Sequence, residues 1–311
     1  MNETASNPHP GSFNRASSLS SPIPHLDPTA RSRRLLIETV TELQPFHESL
    51  TVIGSHAVYA RAEGLFEGYI FESTADADLA VDPAFVRPDP RIIDLMQSAG
   101  LERAHPDRPG IYGYAGEAHI PQLTRTTIDL LVPEIFAGRG RRSASITGQR
   151  NAATRASGIE LALFDRSEMI LDTLPTDPDP IRASVHVAGH AALLTAKTHK
   201  LKDRLADFER RPHRLRPKDS VDVGLLILSS QPDEVADTLS RARTEHPALA
   251  DLIDTAISFL IEQFSPASPA PLRSELLSGL GTVSHDLEPA LDAWLEAFAA
   301  ATAELRDQAF R

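Results

Sequence analysis

The stretch Thr74-Ala75-Asp76-Ala77-Asp78-Leu79-Ala80-Val81 decides how the first half of the chain is read. Its apolar end and alternating acids fit a short strand, and Asp82-Pro83 stops it. In a strand, alternate side chains share a face, so Asp76 and Asp78 project together. Two carboxylates that close raise each other's pKa unless a cation lies between them. Magnesium takes oxygen ligands, usually one or two carboxylates together with substrate phosphates. The pair is therefore a candidate metal seat, although Asp-x-Asp is also common at solvated strand ends.

Two neighbouring segments strengthen the reading. Upstream, Leu50 to Ile53 is a short β-branched run ending at Gly54-Ser55, followed by the helix-like HAVYARAEG. The order strand, tight turn, helix places Ser55 to cap and leaves backbone N–H groups free to meet a phosphate. Gly54 would let a triphosphate approach closely. Downstream, Thr126 to Val132 reads TTIDLLV, the clearest strand signal in the chain, closed by Pro133. A lone carboxylate is costly inside such a run. Asp129 is therefore expected to point toward the Asp76/Asp78 strand, giving three acids converging on a metal-sized site.

Further out, Arg33 to Phe46 has helical spacing, as does Arg91 to Leu101. Residues 104–116 are rich in Pro and Gly and are expected to form a loop and a short strand. Gly138 to Ser157 is basic, small and polar, and is expected to be a mobile loop. It contains Gly138-Arg139-Gly140-Arg141-Arg142, which lacks the Gly-Lys-Ser/Thr ending of a P-loop. From Ala188 the pattern turns helical, over 188–208, 218–229, 232–245, 248–264 and 285–308. Strands first and helices afterwards predict an α+β fold, a mixed sheet with flanking helices followed by a helical domain. TLPTDPDP, starting at Thr173, marks the changeover. The expected divisions are a disordered leader over 1–30, a sheet domain over 31–175 and a helical domain over 176–311.

Composition narrows the function classes. The 311 residues include 41% apolar and 24% charged types, enough to fill a core. No apolar run is long enough to span a membrane. There is no cysteine, which excludes disulfides, thiolate catalysis and Cys-type zinc sites, and fits a cytoplasmic location. His186 and His190 stand at i and i+4, where they could share a helix face, but no third ligand accompanies them. The net charge of −12 argues against binding nucleic acid through bulk electrostatics. The charge is uneven, however. Between Lys197 and Lys218 nine Lys or Arg stand against three acids, and Arg139, Arg141, Arg142, Arg150 and Arg155 form a second basic stretch. Such patches suit a phosphate-bearing ligand, and each alone also fits a solvated face.

The pattern hydrophobic-Gly-Gly/Ser, Asp-x-Asp and a third Asp in a later strand resembles the nucleotidyltransferase superfamily, the fold of DNA polymerase β. Here it reads VIGSHAV, TADADLAV and TIDLLV. More narrowly, the chain looks like the AbiEii-type abortive-infection toxins, which carry a Lys on a helix and a Lys/Arg-Asp-x-x-Asp element further on. This sequence offers AAKTHKLKDR and RPKDSVDVGLL. The resemblance spans roughly 48–230. It implies Asp76, Asp78 and Asp129 as ligands of a two-metal magnesium site, with Asp129 as base. It implies Gly54, Ser55, Thr74 and Lys197 as contacts to a nucleoside triphosphate. Asp219 is expected to orient Lys197 or the sugar. One departure is the long interval over 56–73, where EGLFEGYIFES is expected to lengthen the helix or add a hairpin.

The leading expectation is transfer of a nucleotide from an NTP to an RNA end, such as a tRNA 3′ end, by a toxin with a cognate antitoxin or a phage-defence effector. The alternatives are a small-molecule or protein acceptor, or a catalytically silent nucleotide-binding module.

Overall fold

The computed structural model describes residues 26–65, 73–117, 125–137, 143–266, 270–281, 284–303 and 305. Its first half is built on a mixed sheet with nine strands among the described residues, and its second half is helical.

The opening helix α1 (Pro28–Glu42) begins earlier than the sequence pattern indicates. Asp27 is its N-cap, with Oδ1 accepting from the Thr29 and Ala30 backbone N–H groups at 2.8 and 3.1 Å. The expected leader over 1–30 is thus corrected at its end, since Thr29 and Ala30 are buried helical residues. Residues 1–25 lie outside the described residues. Starting the chain at Arg31 should lower the melting temperature relative to a chain starting at Leu26, because the cap alone contributes about 1 kcal/mol. Equal melting temperatures for the two truncations would sink this assignment.

Strand β1 (Leu50–Ile53) runs into helix α2 (Gly54–Arg61), and β2 (Asp76–Val81) pairs antiparallel with β1. Helix α2 ends at Arg61, so the interval before β2 does not lengthen it, and 66–72 lie outside the described residues. Helix α3 (Ile92–Ser98) leads to β3 (Leu101–Arg103) and β4 (Ile111–Tyr114). Strand β5 (Thr127–Pro133) pairs parallel with β2 and antiparallel with β4.

The expected mobile loop is instead a hairpin, β6 (Ser143–Ile146) and β7 (Gln149–Ala156), with β7 parallel to β5. Ala144, Ile146, Ala152 and Ala153 are buried, so small residues do the packing that a bulky run would have announced. Positive φ at Thr147 (41°) and Gly148 (78°) makes the tight turn. Arg150 and Arg155 lie on this hairpin, Arg155 pairing with Glu134 at 3.3 Å. Arg139, Arg141 and Arg142 lie outside the described residues.

Strands β8 (Arg166–Asp172) and β9 (Arg182–Ala188) form a second hairpin that the sequence pattern does not reveal. TLPTDPDP opens its connection rather than marking a domain break. Strand β9 lies parallel to β1, so the sheet runs on to Ala188, past the expected division at 175. His186 is therefore on β9 and His190 begins a helix, and they share no helix face. The long path through the sheet is β3-β4-β5-β2-β1-β9-β8.

The helical half contains α4 (His190–Ala206), α5 (Pro217–Leu228), α6 (Pro232–Glu245), α7 (Ala250–Phe264), α8 (Pro271–Leu280) and α9 (Ser284–Ala301). Helix α8 has no counterpart in the sequence reading, because Pro and Ser just before it mimic a loop. Helices α4 and α5 pack on each other and on α2, which brings the basic stretch from Lys197 to Lys218 against the acidic strands. No helix among the described residues is long and apolar enough to cross a membrane.

Candidate functional site

The site is assembled around the junction of β1 and α2. Ile53 is opposite Asp78 in the β1–β2 register, so Gly54 falls directly beside that carboxylate. Gly54 has φ +69°, and a Cβ built on it would overlap the Asp78 carboxylate. Both the backbone conformation and the close approach therefore require glycine. Gly54 was expected to make room for a ligand; in the fold it also makes room for the Asp78 carboxylate.

Asp78 is in turn the register partner of Asp129 across the parallel β2–β5 pair, while Asp76 is opposite Thr127. The three acids thus share one face of two adjacent strands, as the alternation in the sequence predicts. On the other face, Ala77, Leu79, Val81, Ile128, Leu130 and Val132 are fully buried and fix the register. Burial, then Asp76, pushes the Asp78 carboxyl up to about 6. Asp129 is held well above the usual carboxylate range by burial, then by Asp78 and Asp76. The expected convergence is nevertheless incomplete. Among the described residues no three His, Cys, Asp or Glu side chains are gathered closely enough to form a metal cluster as they stand.

Thr74 is buried and positions the acids rather than reaching outward. Its hydroxyl donates to Asp76 Oδ1 at 2.7 Å, and its N–H donates to Thr29 Oγ1 at 3.0 Å. Ser32 Oγ lies 2.9 Å from the Thr74 carbonyl and 2.8 Å from His56 Nε2. Burial, then Arg33 and Lys218, drives the His56 pKa well down, so the ring is neutral and can donate to Ser32. Helices α1 and α2 thereby fix the start of β2.

Ser55 does not cap α2; no side chain caps that helix. Its hydroxyl instead accepts from Lys218 Nζ at 2.9 Å and lies 3.4 Å from Asp222 Oδ2. Lys218 also donates to the Tyr59 hydroxyl and lies over that ring. Lys197 is only 4% exposed and is ion-paired with Asp222. Asp219 does not pair with Lys197, which corrects the first of its two expected roles; it pairs with Lys200 at 3.1 Å and with Arg204. The reason is helical phase. Asp222 is one turn beyond Asp219, on the part of α5 that faces Lys197 and Ser55.

These cations border the acids. The charges of Lys200, Lys197 and Lys218 all act on Asp78, and Asp76 acts on Arg204. Burial, then Lys197 and Arg204, brings the Lys200 ammonium down to about 8. Lys218 and Asp222 belong to the quoted Lys-Asp-x-x-Asp element, but sequence reasoning gave a role only to Asp219. The signal was present as their i, i+4 spacing around Asp219, within the KDSVD run. The arrangement offers a glycine-serine turn, three carboxylates on one side and four cationic side chains on the other.

Comparison with protein-family models, characterised proteins and solved structures finds no match to this chain.

Proposed function

We propose that the protein is a magnesium-dependent nucleotidyltransferase that moves a nucleoside monophosphate from an NTP to an acceptor hydroxyl. The observation that carries this reading is Gly54 packed on Asp78, with Asp78 in register with Asp129 and the α4–α5 cations facing them. The donor set suits a hard divalent cation, since it consists of carboxylate oxygens whose mutual repulsion such an ion would relieve. Asp76, Asp78 and Asp129 would hold it, and when bound it supplies charge neutralisation for the reacting phosphates.

The chain's own residues account for the rest. The Gly54-Ser55 turn at the start of α2 offers backbone N–H groups to phosphate oxygens. Lys200 and Lys218 neutralise the triphosphate from the opposite wall, while buried Lys197 fixes Asp222 and with it the Ser55 side of the turn. The acceptor oxygen forms a bond to the α-phosphorus, the bond to the bridging oxygen breaks, and pyrophosphate leaves. Asp129 takes the acceptor proton.

RNA is the acceptor class this surface favours, with a tRNA end as the specific expectation and a toxin or phage-defence role as its context. Between α4 and α5 the turn carrying Arg210, Arg211, Arg214 and Arg216 is exposed and adjoins Arg204. Such a run of guanidinium groups suits backbone phosphates. Incubation with labelled NTPs, magnesium and total RNA tests the activity. Labelled RNA that disappears in Asp78→Asn supports the reading, label on protein or a small molecule changes the acceptor, and no label with any NTP refutes transfer.

A related prediction concerns salt. Replacing Arg210, Arg211 and Arg216 together with Ala should weaken tRNA binding and reduce its log–log salt slope by about 0.7–0.9 for each phosphate no longer neutralised. NTP binding should change little. Parallel slopes for the two proteins would remove this turn from the RNA site.

A further inference from the structure

We infer that the outer edge of β8 is a self-association surface, on which a second copy of the chain adds its own β8 antiparallel to the first. This conclusion is independent of the nucleotidyltransferase reading and rests on the sheet edge alone.

Strand β8 ends the main path through the sheet, with β9 on its inner side. Its seven residues pair with β9 without a register break. Immediately beyond the strand, Thr173 donates to the Ile181 carbonyl at 3.0 Å and Asp165 accepts from Gly189 at 2.8 Å. In an antiparallel pair such bonds alternate along the strand. Odd-numbered residues of β8 therefore turn their N–H and C=O groups to β9. Arg166, Glu168, Ile170 and Asp172 turn theirs outward. Among the described residues, nothing pairs with these outward backbone groups.

An edge of this kind is ordinarily blunted by brevity, a bulge, proline or lysine. The opposite end of the path is blunted in that way, since β3 has only three residues. Strand β8 is neither short nor bulged and has no proline or lysine; its charges are engaged within the chain, Arg166 with Thr51 and the Glu48 carbonyl, Glu168 with Ser184 and Asp172 with Arg182, and Ile170 stands 62% exposed among them.

Charge selects the occupant and the register. An antiparallel copy centred on Met169 places Arg166 opposite Asp172 at both ends and Glu168 opposite Ile170. All four outward residues then fall in hydrogen-bonded pairs. The two Ile170 side chains become diagonal neighbours, within contact range for long apolar groups, and the two Glu168 side chains lie on the other diagonal, farther apart than a directly opposite pair. Arg182 already pairs with Asp172 at 2.9 Å, and the Arg166 guanidinium reaches inward to Thr51 Oγ1 at 3.1 Å and the Glu48 carbonyl at 3.0 Å, so the partner's Asp172 meets Arg166 as a neighbouring opposite charge rather than as a direct ion pair. Shifting the register by two residues in either direction puts Glu168 opposite Glu168 or opposite Asp172. Like charges directly opposite destabilise a strand pair. The self-complementary order of Arg166, Glu168, Ile170 and Asp172 thus favours one two-fold arrangement. A seven-residue edge contributes less area than a standard protein interface, so the dimer should form with a Kd on the order of micromolar.

Sedimentation of the full chain from about 1 to about 100 µM, the range that brackets such a Kd, should show monomer giving way to dimer. Ile170→Pro removes an outward N–H and leaves the β9 ladder intact, so it should weaken association at least tenfold while circular dichroism remains native. The absence of cysteine provides a second test. Met169→Cys places two thiols across the two-fold axis in a non-hydrogen-bonded pair, close enough for a disulfide on mild oxidation. Ser167→Cys faces Leu171 of the partner and should not cross-link. A chain that is monomeric throughout, a dimer unaffected by Ile170→Pro, or equal cross-linking of the two cysteine variants would overturn the assignment.

Discussion

Asp78→Asn, studied without divalent cations at pH 7, should melt above the wild type while losing nucleotidyl transfer by roughly two to three orders of magnitude or more. The two effects have one origin. The Asp78 carboxyl is raised to about 6 by burial and by Asp76, so ionisation at neutral pH is unfavourable in the folded protein. The unfolded chain pays no such penalty, because its carboxyl titrates near 3.9. Stability from this group therefore falls as pH rises from about 4 through about 6, and the wild type should gain stability on mild acidification. Amide substitution removes the charge and flattens that slope, with a gain of about 1–2 kcal/mol at pH 7 after allowing for solvent screening. Magnesium should raise the melting temperature of the wild type and leave the variant nearly unchanged. Thermal melts over pH 4 to about 8, with and without magnesium, check each part. A destabilised variant with the wild-type pH slope would show that Asp78 is not repelled in the folded state.

The second large effect concerns the Lys197–Asp222 pair. Both side chains are buried, and Asp222 is also 3.9 Å from Lys218. Asp222→Ala strands a buried ammonium and should cost about 3–5 kcal/mol. Replacing both partners, as Lys197→Met with Asp222→Leu, removes the unpaired charge and should restore most of that stability. Transfer should remain lost in the double variant, because Ser55 and Lys218 lose their shared carboxylate partner. Chemical denaturation of Lys197→Met, Asp222→Leu and the double variant gives the coupling directly. If the double variant is as unstable as the sum of the singles, the pair is not acting as a unit. Recovery of transfer together with stability would reduce the pair to a packing element. Lys202, exposed on the same helix, provides the control, since its replacement by Ala should alter neither property.

Periodicity accounts for what the sequence made legible. Asp76, Asp78 and Asp129 sit in apolar strands with period two, so their shared face could be read without coordinates. The register that sets Asp78 opposite Asp129 could not, since it depends on how the sheet brings β2 and β5 together. The α4 and α5 helices were legible from their apolar spacing, while the pairing across them was not. Asp219 and Asp222 are both acids on one helix, and only the packed phase of α5 assigns one to Lys200 and Arg204 and the other to Lys197. The β6–β7 hairpin escaped notice because alanines fill its inward positions among arginines. The β8–β9 hairpin escaped because β8 is an exposed edge, whose sequence carries little of the apolar run that marks a buried strand.

The position of β1 has a consequence for how the chain is made. Its two neighbours in the sheet are β2, which follows soon after it, and β9, which is synthesised more than a hundred residues later. Long-range pairing of this kind is slow to form. A nascent chain that has not yet delivered Ala188 exposes one side of β1, an apolar strand able to pair with the wrong neighbour. Gly54, Asp78 and Asp129 are translated before that point, but Lys197, Lys218 and Asp222 come after it. Chains released early should therefore aggregate and bind no triphosphate, so vectorial synthesis itself delays the appearance of the complete site until the helical half has emerged.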